Sequence, residues 1–248
     1  MRYLILTDIH SNVEALEACI QRAKQAGYDA VLCCGDLVGY GPNPVEAIDL
    51  IRGLNPTCIR GNHDRVASGL DEPTNFNTHA REAIYWTRAA LPDSYREYLA
   101  ELPVGPMDIT DESQLVHGAV TDEDDYIFTE AEADMNLLLT HKNITFFGHS
   151  HFPVVFTSNA QGRAVVAPTY EFDEFTAAQC DPHLKLFVNP GSVGQPRDGD
   201  PRACFAIWDR DRTRVEFYRV EYDLEKTQAK MREVGLPVYL IDRLARGR

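Results

Sequence analysis

Five short clusters of oxygen- and imidazole-bearing residues are strung along this chain, and a fold that uses them must bring five chain segments to one place. In order they are Asp8 and His10, then Gly35 and Asp36, then the run Gly61, Asn62, His63 and Asp64, then His117 and Gly118, then Gly148, His149, Ser150 and His151. Three follow runs that read as β-strands and two close short apolar runs, so all lie where chain leaves a sheet. Together they offer four His, two Asp and one Asn as ligands, with His63 to spare.

The pattern around the clusters gives the expected elements. Residues 2–7 form a compact apolar strand, and Ser11 with Glu14 three positions on reads as a capping box. Apolar or small residues at 13, 16, 19, 20 and 23 then mark a helix that Gly27 stops. A strand is expected at 30–34. A helix opened by Asn43 and Pro44 runs to about 52, and a third strand covers 57–60. This alternation predicts a parallel β-α-β layer. Residues 65–105 read as a helical insertion beside or over the site, with helices at 80–90 and 94–101. A strand at 114–116, a helix at 129–140 capped by Thr129 and Glu132, and a strand at 144–147 follow. Short β-rich runs near 153–157, 163–167, 184–188, 203–208 and 214–220 predict a second, more antiparallel sheet. Residues 222–248 read as a helix, 223–234, and then a basic tail. The expectation is one domain over residues 1–248, with two sheets face to face and helices outside.

Bulk properties narrow the chemistry. A chain of 248 residues can bury a large core, and 44% hydrophobic with 25% charged residues is ordinary for a globular protein. The net charge of −14 argues against a groove for DNA or RNA. A phosphate substrate stays open, because bound divalent cations invert the local field. The N-terminal apolar run is too short for a signal peptide, and no stretch approaches the roughly 18 apolar residues of a membrane span. The six Cys show no metal-binding or redox spacing, and Cys33, Cys34, Cys58 and Cys204 lie in apolar runs. A reducing, cytoplasmic setting is expected.

The clusters point to hydrolysis of a phosphate ester. Asp36 follows Gly35, which permits a tight exit from its strand. A carboxylate can bridge two ions where an imidazole nitrogen cannot, so Asp36 is the expected bridge. Asn62 offers a neutral amide oxygen, and His117, His149 and His151 add nitrogen. Mixed N/O ligands without thiolate suit Mn, Fe, Zn, Co or Ni. Two such ions, roughly 3.5–4 Å apart, would make hydroxide available near neutral pH and hold phosphate oxygens during in-line attack. His63 is placed to protonate the leaving group, with Asp64 as a candidate to orient its imidazole.

The series D-x-H, G-D, G-N-H-D, H-G, G-H-S-H resembles the calcineurin-like metallophosphoesterase superfamily over residues 1 to about 195. The stretch from Gly35 through Tyr40 to Pro42, and the later run from Asn189 through Gly191 and Gly194 to Arg197, resemble its bacterial and archaeal branch described as diadenosine-tetraphosphatase-like or phosphodiesterase-like. The resemblance implies an α-β-β-α sandwich of two facing mixed sheets flanked by helices, with two divalent metals at its edge. It implies that Asp8, His10, Asp36 and His151 hold one metal, that Asp36, Asn62, His117 and His149 hold the other, and that His63 is the acid. The function expected is a phosphodiesterase acting on a small phosphorylated molecule or nucleotide. Phosphomonoesterase, protein Ser/Thr phosphatase and non-catalytic scaffold are the alternatives. Relatives carry a basic loop after the His-Gly block, whereas this chain has Asp122, Glu123, Asp124 and Asp125. That exchange argues against polyphosphate substrates.

Several residues carry two readings. Asn77, His79 and Arg81 are candidates for substrate contact, or for helix capping and surface pairing. Tyr40 either stacks on a substrate ring or packs a turn. Arg197 binds a phosphate oxygen or forms a salt bridge with Asp198 or Asp200. Gly191 and Gly194 either cradle phosphate or let a tight turn pack behind the metals.

Overall fold

Strand β1 (Arg2–Leu6) is apolar on both faces because each face enters a different core. Leu4 and Leu6 join a cluster shared with the flanking helices, while Tyr3 and Ile5 join one shared with Phe146, Val188 and Trp208 between the sheets. This is the period-two alternation of a strand buried on both sides. The computed structural model describes residues 1–166, 174–181 and 183–248.

After β1 come α1 (Val13–Ala26), β2 (Ala30–Cys33), α2 (Pro44–Gly53), β3 (Thr57–Cys58), α3 (Asn62–Ser68), α4 (Thr78–Ala90) and α5 (Asp93–Glu101). The chain then turns strand-rich, with β4 (Met107–Asp108), β5 (Ser113–Leu115), α6 (Glu130–Leu139), β6 (Ile144–Phe146), β7 (Pro153–Ser158) and β8 (Ala164–Val166). It continues with β9 (Phe175–Gln179), β10 (Leu186–Pro190), β11 (Ala203–Asp209) and β12 (Arg214–Val220), and closes with α7 (Leu224–Glu233) and α8 (Val238–Leu244). Of the expected strand 163–167, residue 167 lies outside the described residues.

Two six-stranded sheets form, in the orders β3-β2-β1-β11-β12-β9 and β4-β5-β6-β10-β7-β8. The expected sandwich is therefore present, but its strands are dealt out differently from the expectation. Among the described residues no separate antiparallel sheet gathers the late strands. Instead β11 pairs antiparallel with β1, bringing Trp208 opposite Tyr3, and β12 and β9 extend that sheet. In the other sheet β5, β6 and β10 run parallel. The physical reason is the open edge of β1. With both faces buried, its unpaired backbone groups need a partner, and β11 supplies them.

Other expectations need correction at the ends of elements. Asn12, not Ser11, caps α1: its side chain accepts from Ala15 N at 3.2 Å. Glu14 is then free of any capping role and pairs with Lys230 at 2.6 Å, tying α1 to α7. The ladder of β3 ends at Cys58, and a helix begins at Asn62 within the third cluster. The tail is not a loose basic segment either. Leu240, Ile241 and Leu244 of α8 are buried against Tyr40, Met231 and Ala83. Thr129 and Glu132 form the expected capping box on α6. All six cysteines are free and buried.

Candidate metal centre

The site is built at the ends of β1, β2, β5 and β6 and the start of α3, where each strand breaks abruptly. Asp8, His10, Asp36, His149 and His151 all have left-handed backbone, with φ between 48° and 65°. Such conformations cost about 1–3 kcal/mol each for residues other than glycine and gather at functional sites. The surrounding hydrogen bonds hold them there. Ile9 N and His10 N both donate to Asp36 O, at 2.8 and 3.0 Å, and Gly194 N donates to Asp8 O at 2.9 Å. Gly35 and Gly61 let the second and third loops touch: a Cβ on Gly35 would collide with the backbone of Gly61, and one on Gly61 with the Asp36 carboxylate.

All seven expected ligands come together. His10 Nε2 lies 3.1 Å from His151 Nε2, and His151 Nε2 lies 3.3 Å from Asp8 Oδ1. Asp36 Oδ2 sits 3.6 Å from His10 Nε2 and 3.4 Å from His117 Nε2, and His117 Nε2 is 3.1 Å from Asn62 Oδ1. Asp8, His10 and His151 form one group of converging ligand atoms, and Asp36, His117 and His149 a second. Asp36 Oδ2 is buried between the two and has no hydrogen-bond partner among the described residues.

Backbone carbonyls orient the imidazoles. Nδ1 of His10, His117 and His151 contacts Val38 O, Cys34 O and Gln195 O at 3.0, 2.8 and 2.7 Å. If each Nδ1 carries its proton toward that carbonyl, each Nε2 lone pair faces the centre. His149 is reversed. Its Nε2 meets Asp124 O at 3.0 Å, which leaves Nδ1 to face inward. Sequence reasoning did not find these carbonyl partners, because a carbonyl has no residue-type signature.

Charge shows the same need for cations. The ion-pair partners of Asp8 and Asp36 among the described residues are all histidines. Burial, opposed by His117 and reinforced by Asp36, pushes the Asp8 carboxyl up to about 7. Burial lowers the His117 pKa, but Asp36 overrides it and lifts the imidazolium to about 10. Burial holds His10 down at about 4 and His149 at about 3. A proton on His117 thus stands in for a cation beside Asp36, and a metal would have to displace it. The donors, their directions and the orphaned Asp36 oxygen fit divalent metal ions.

The remaining sequence candidates divide. His63 is buried, its ring 4.5 Å from that of Tyr40, 4.6 Å from Phe76 and 4.8 Å from His10, and its Nδ1 has no hydrogen-bond partner among the described residues. Asp64 does not orient it. The Asp64 carboxylate accepts from Leu37 N, Val38 N and Gly61 N at 2.9, 3.2 and 3.0 Å, so it fixes the Asp36 loop instead. Burial holds the His63 pKa well below its ordinary value. Arg197 does not pair with its neighbours in sequence: Asp198 pairs with Arg219, and Asp200 with Arg202 at 2.6 Å. Gly191 and Gly194 belong to a turn behind the loops, which Asn189 and Ser192 tie to Gly148 O and Asp8 O at 2.8 Å each.

A cavity of about 130 Å³ opens beside His63. Tyr40, Phe76, Asn77, Tyr126 and His149 are among its lining residues. Asn77 also caps α4 through Ala80 N at 3.0 Å. His79 and Arg81 do not line it. His79 stacks on Tyr239 at 4.7 Å, and Arg81 donates to the carbonyls of Pro73, Thr74 and Phe76. Phe76 and Tyr126 were not foreseen, and Tyr126 stacks on the His149 ring at 3.9 Å. The acidic loop also differs from the expectation of a repelling wall. Glu123 pairs with Arg65 and, at 3.5 Å, with Arg60, while Asp124 pairs with Arg65 at 2.7 Å. Half of that acidic run is thus neutralised.

Comparison with known proteins agrees with this geometry. Residues 1–213 match the calcineurin-like phosphoesterase superfamily domain. An uncharacterized protein of Methanocaldococcus jannaschii is 34% identical over 98% of this chain and 97% of its own length. A crystal structure of a metallophosphoesterase from Sphaerobacter thermophilus is 38% identical with a TM-score of 0.87, and each chain is covered completely. A hypothetical protein from Pyrococcus horikoshii shares the fold at 23% identity and a TM-score of 0.79, over 100% of this chain and 98% of its own. No helix among the described residues is long and apolar enough to cross a membrane. The chain belongs to the calcineurin-like phosphoesterase superfamily and is a metal-dependent phosphoric ester hydrolase.

Proposed function

We propose that this protein is a phosphodiesterase that uses two divalent ions to hydrolyse a small phosphorylated molecule. Asp8, His10, Asp36 and His151 would hold one ion, and Asp36, Asn62, His117 and His149 the other. The observation that carries this reading is Asp36 Oδ2, buried without a partner between the inward-facing nitrogens of His10 and His117. Bound there, Mn, Fe, Zn, Co or Ni would supply Lewis acidity, giving an attacking hydroxide at neutral pH and offsetting charge on the phosphate.

The chain's own groups do the rest. Arg197, with no carboxylate partner among the described residues, is available to bind a phosphate oxygen. His63 faces the cavity and protonates the leaving oxygen. Its proton arrives with the substrate, because Asp64 is committed to backbone amides and a phosphate anion beside a buried imidazole raises its pKa. Phe76 and Tyr126 wall the leaving group in a small space. Six free cysteines fit a reducing compartment, and the cytoplasm is the location we propose.

The direct test is chelation followed by metal addition, assayed on bis-p-nitrophenyl phosphate. Hydrolysis should return with at least one of Mn, Co, Ni, Zn or Fe. No turnover with any of them defeats the proposal.

A further inference from the structure

The four imidazoles of the metal centre lean on partners that are not equally secure. Val38, Cys34 and Gln195, whose carbonyls meet His10, His117 and His151, are themselves buried. His149 instead meets the carbonyl of Asp124 at 3.0 Å, and the Asp124 side chain is 39% exposed. Asp124 belongs to the stretch between β5 and α6, which contains no helix or strand and in which Asp122, Asp125 and Tyr126 are exposed. Exposed segments without regular structure are ordinarily the mobile parts of a fold.

Two arginines hold this one against the centre. Arg65 donates to Glu123 and, at 2.7 Å, to Asp124, and Arg60 lies 3.5 Å from Glu123. The side chains of Arg65 and Glu123 are only 16% and 9% exposed, so their pairing is screened less than a surface ion pair. The ends of the loop are fastened separately, by Val120 N to Asn136 Oδ1 at 2.8 Å and by the buried Ile127. Between those ends its ion pairs, among the described residues, are those with Arg60 and Arg65.

The clasp reaches one half of the centre. Arg65 stands about one turn beyond Asn62 on α3, and Arg60 precedes the same helix. The loop they grip starts directly after His117, and a Cβ on Gly118 would meet the carbonyls of Glu123 and Asp125 at 2.6 Å. The loop's own carbonyl then ends on His149. Asn62, His117 and His149 are thus drawn together by a single network, while Asp8, His10 and His151 take their hydrogen bonds from Thr7, Val38 and Gln195.

We propose that Arg65, seconded by Arg60, is a positioning residue for the metal centre. By gripping Glu123 and Asp124 it holds the Asp124 carbonyl against His149 Nε2, keeps His149 Nδ1 facing inward, and so sets the affinity for the ion shared by Asp36, Asn62, His117 and His149. This rests on the two-ion reading above and deepens it: one ion sits in a cage with buried supports, the other in a cage closed by a surface loop. Tyr126 stacks on the same imidazole and lines the cavity, so the clasp also seats part of the cavity wall.

Manganese titration of the full chain after chelation, followed by calorimetry and electron paramagnetic resonance, tests this without turnover. The wild type should take up two ions and show the spectrum of a coupled pair. Arg65→Met should bind the ion at Asp8, His10 and His151 within about twofold of wild type. It should bind the other about 10–100-fold more weakly, the usual cost of losing a partner that orients a metal-bound His. At metal levels where the wild type shows the pair, this variant should show isolated ions. Arg65→Lys should recover part of the lost affinity. Asp124→Asn keeps the carbonyl but loses the charge, so it should weaken the same ion by a smaller factor, and it decides the question if Arg65→Met does not fold. Wild-type uptake of both ions by these variants, or equal weakening of both, overturns the proposal and leaves the two-ion reading standing. A wild type that takes up only one ion defeats that reading and the proposal with it.

Discussion

The metal-facing floor of the site and the wall around its cavity are built on opposite principles. The floor consists of seven buried side chains, five of them on strained turns at strand ends, with the four imidazoles oriented by backbone carbonyls. The wall is made of side chains from segments far apart in sequence, among them the half-buried Phe76 and the exposed Tyr126. The floor has one geometry that works, so strain and burial are tolerated there. The wall's chemistry is apolar surface and paired charge, which a surface can change without harming the fold.

That contrast can be broken by substitution, with floor residues expected to govern rate and wall residues affinity. The largest effect should come from Asp36→Asn, which removes the shared carboxylate charge. Activity on bis-p-nitrophenyl phosphate should fall at least about 10⁴-fold. Metal uptake by the wild type should release protons, because His117 must give up the one that Asp36 stabilises. Calorimetry in buffers of different ionisation heat would show this, and uptake without proton release would mean His117 is not a ligand.

His63→Ala comes next. It should retain both metals and slow hydrolysis by about 10²–10⁴ for alkyl leaving groups, with much less effect on p-nitrophenolate. An equal loss for both leaving groups would assign His63 to the floor rather than to proton transfer. On the wall, Phe76→Ala should raise KM by about three- to tenfold and leave kcat and metal content nearly unchanged, the scale of one aromatic contact. A fall in kcat alone would blur the division.

The smallest effect tests the scaffold beneath the floor. Asn12→Ala should cost about 1–2 kcal/mol in denaturant unfolding, because the side chain caps α1 and also bonds Gly194 O at 3.0 Å. Ser11→Ala should be close to neutral, since the Ser11 hydroxyl is buried without a partner among the described residues.

How far the sequence could be read depends on the kind of signal each feature leaves. Metal ligands are polar types set at the ends of apolar runs, so Asp8, Asp36, His117 and His151 stood out as a set, though a lone His would read as a core or surface residue. Sheet membership left no such mark. The runs at 203–208 and 214–220 read as strands, but nothing local says that β11 will close against β1, because pairing depends on which edges meet in space. The capping error at Ser11 has a similar cause. Ser11 and Asn12 are both good caps, and Ser11 enters the left-handed region beside the site, which shifts the helix start by one residue. Asp64 was misread because proximity in sequence to His63 suggested a contact, while the first turn of α3 points its carboxylate at the amides of Leu37 and Val38.

Residue type and spacing alone determined the chemistry of this protein: hard N/O ligands in five clusters at strand exits, with an imidazole left over. Only the tertiary structure decided which strands share a sheet, that Arg60 and Arg65 discharge half of the acidic loop, and that the C-terminal helix packs Leu244 into the cluster that holds Tyr40. Ligand identity is carried by each side chain wherever it goes, whereas charge balance and cavity shape arise between residues that only folding makes neighbours.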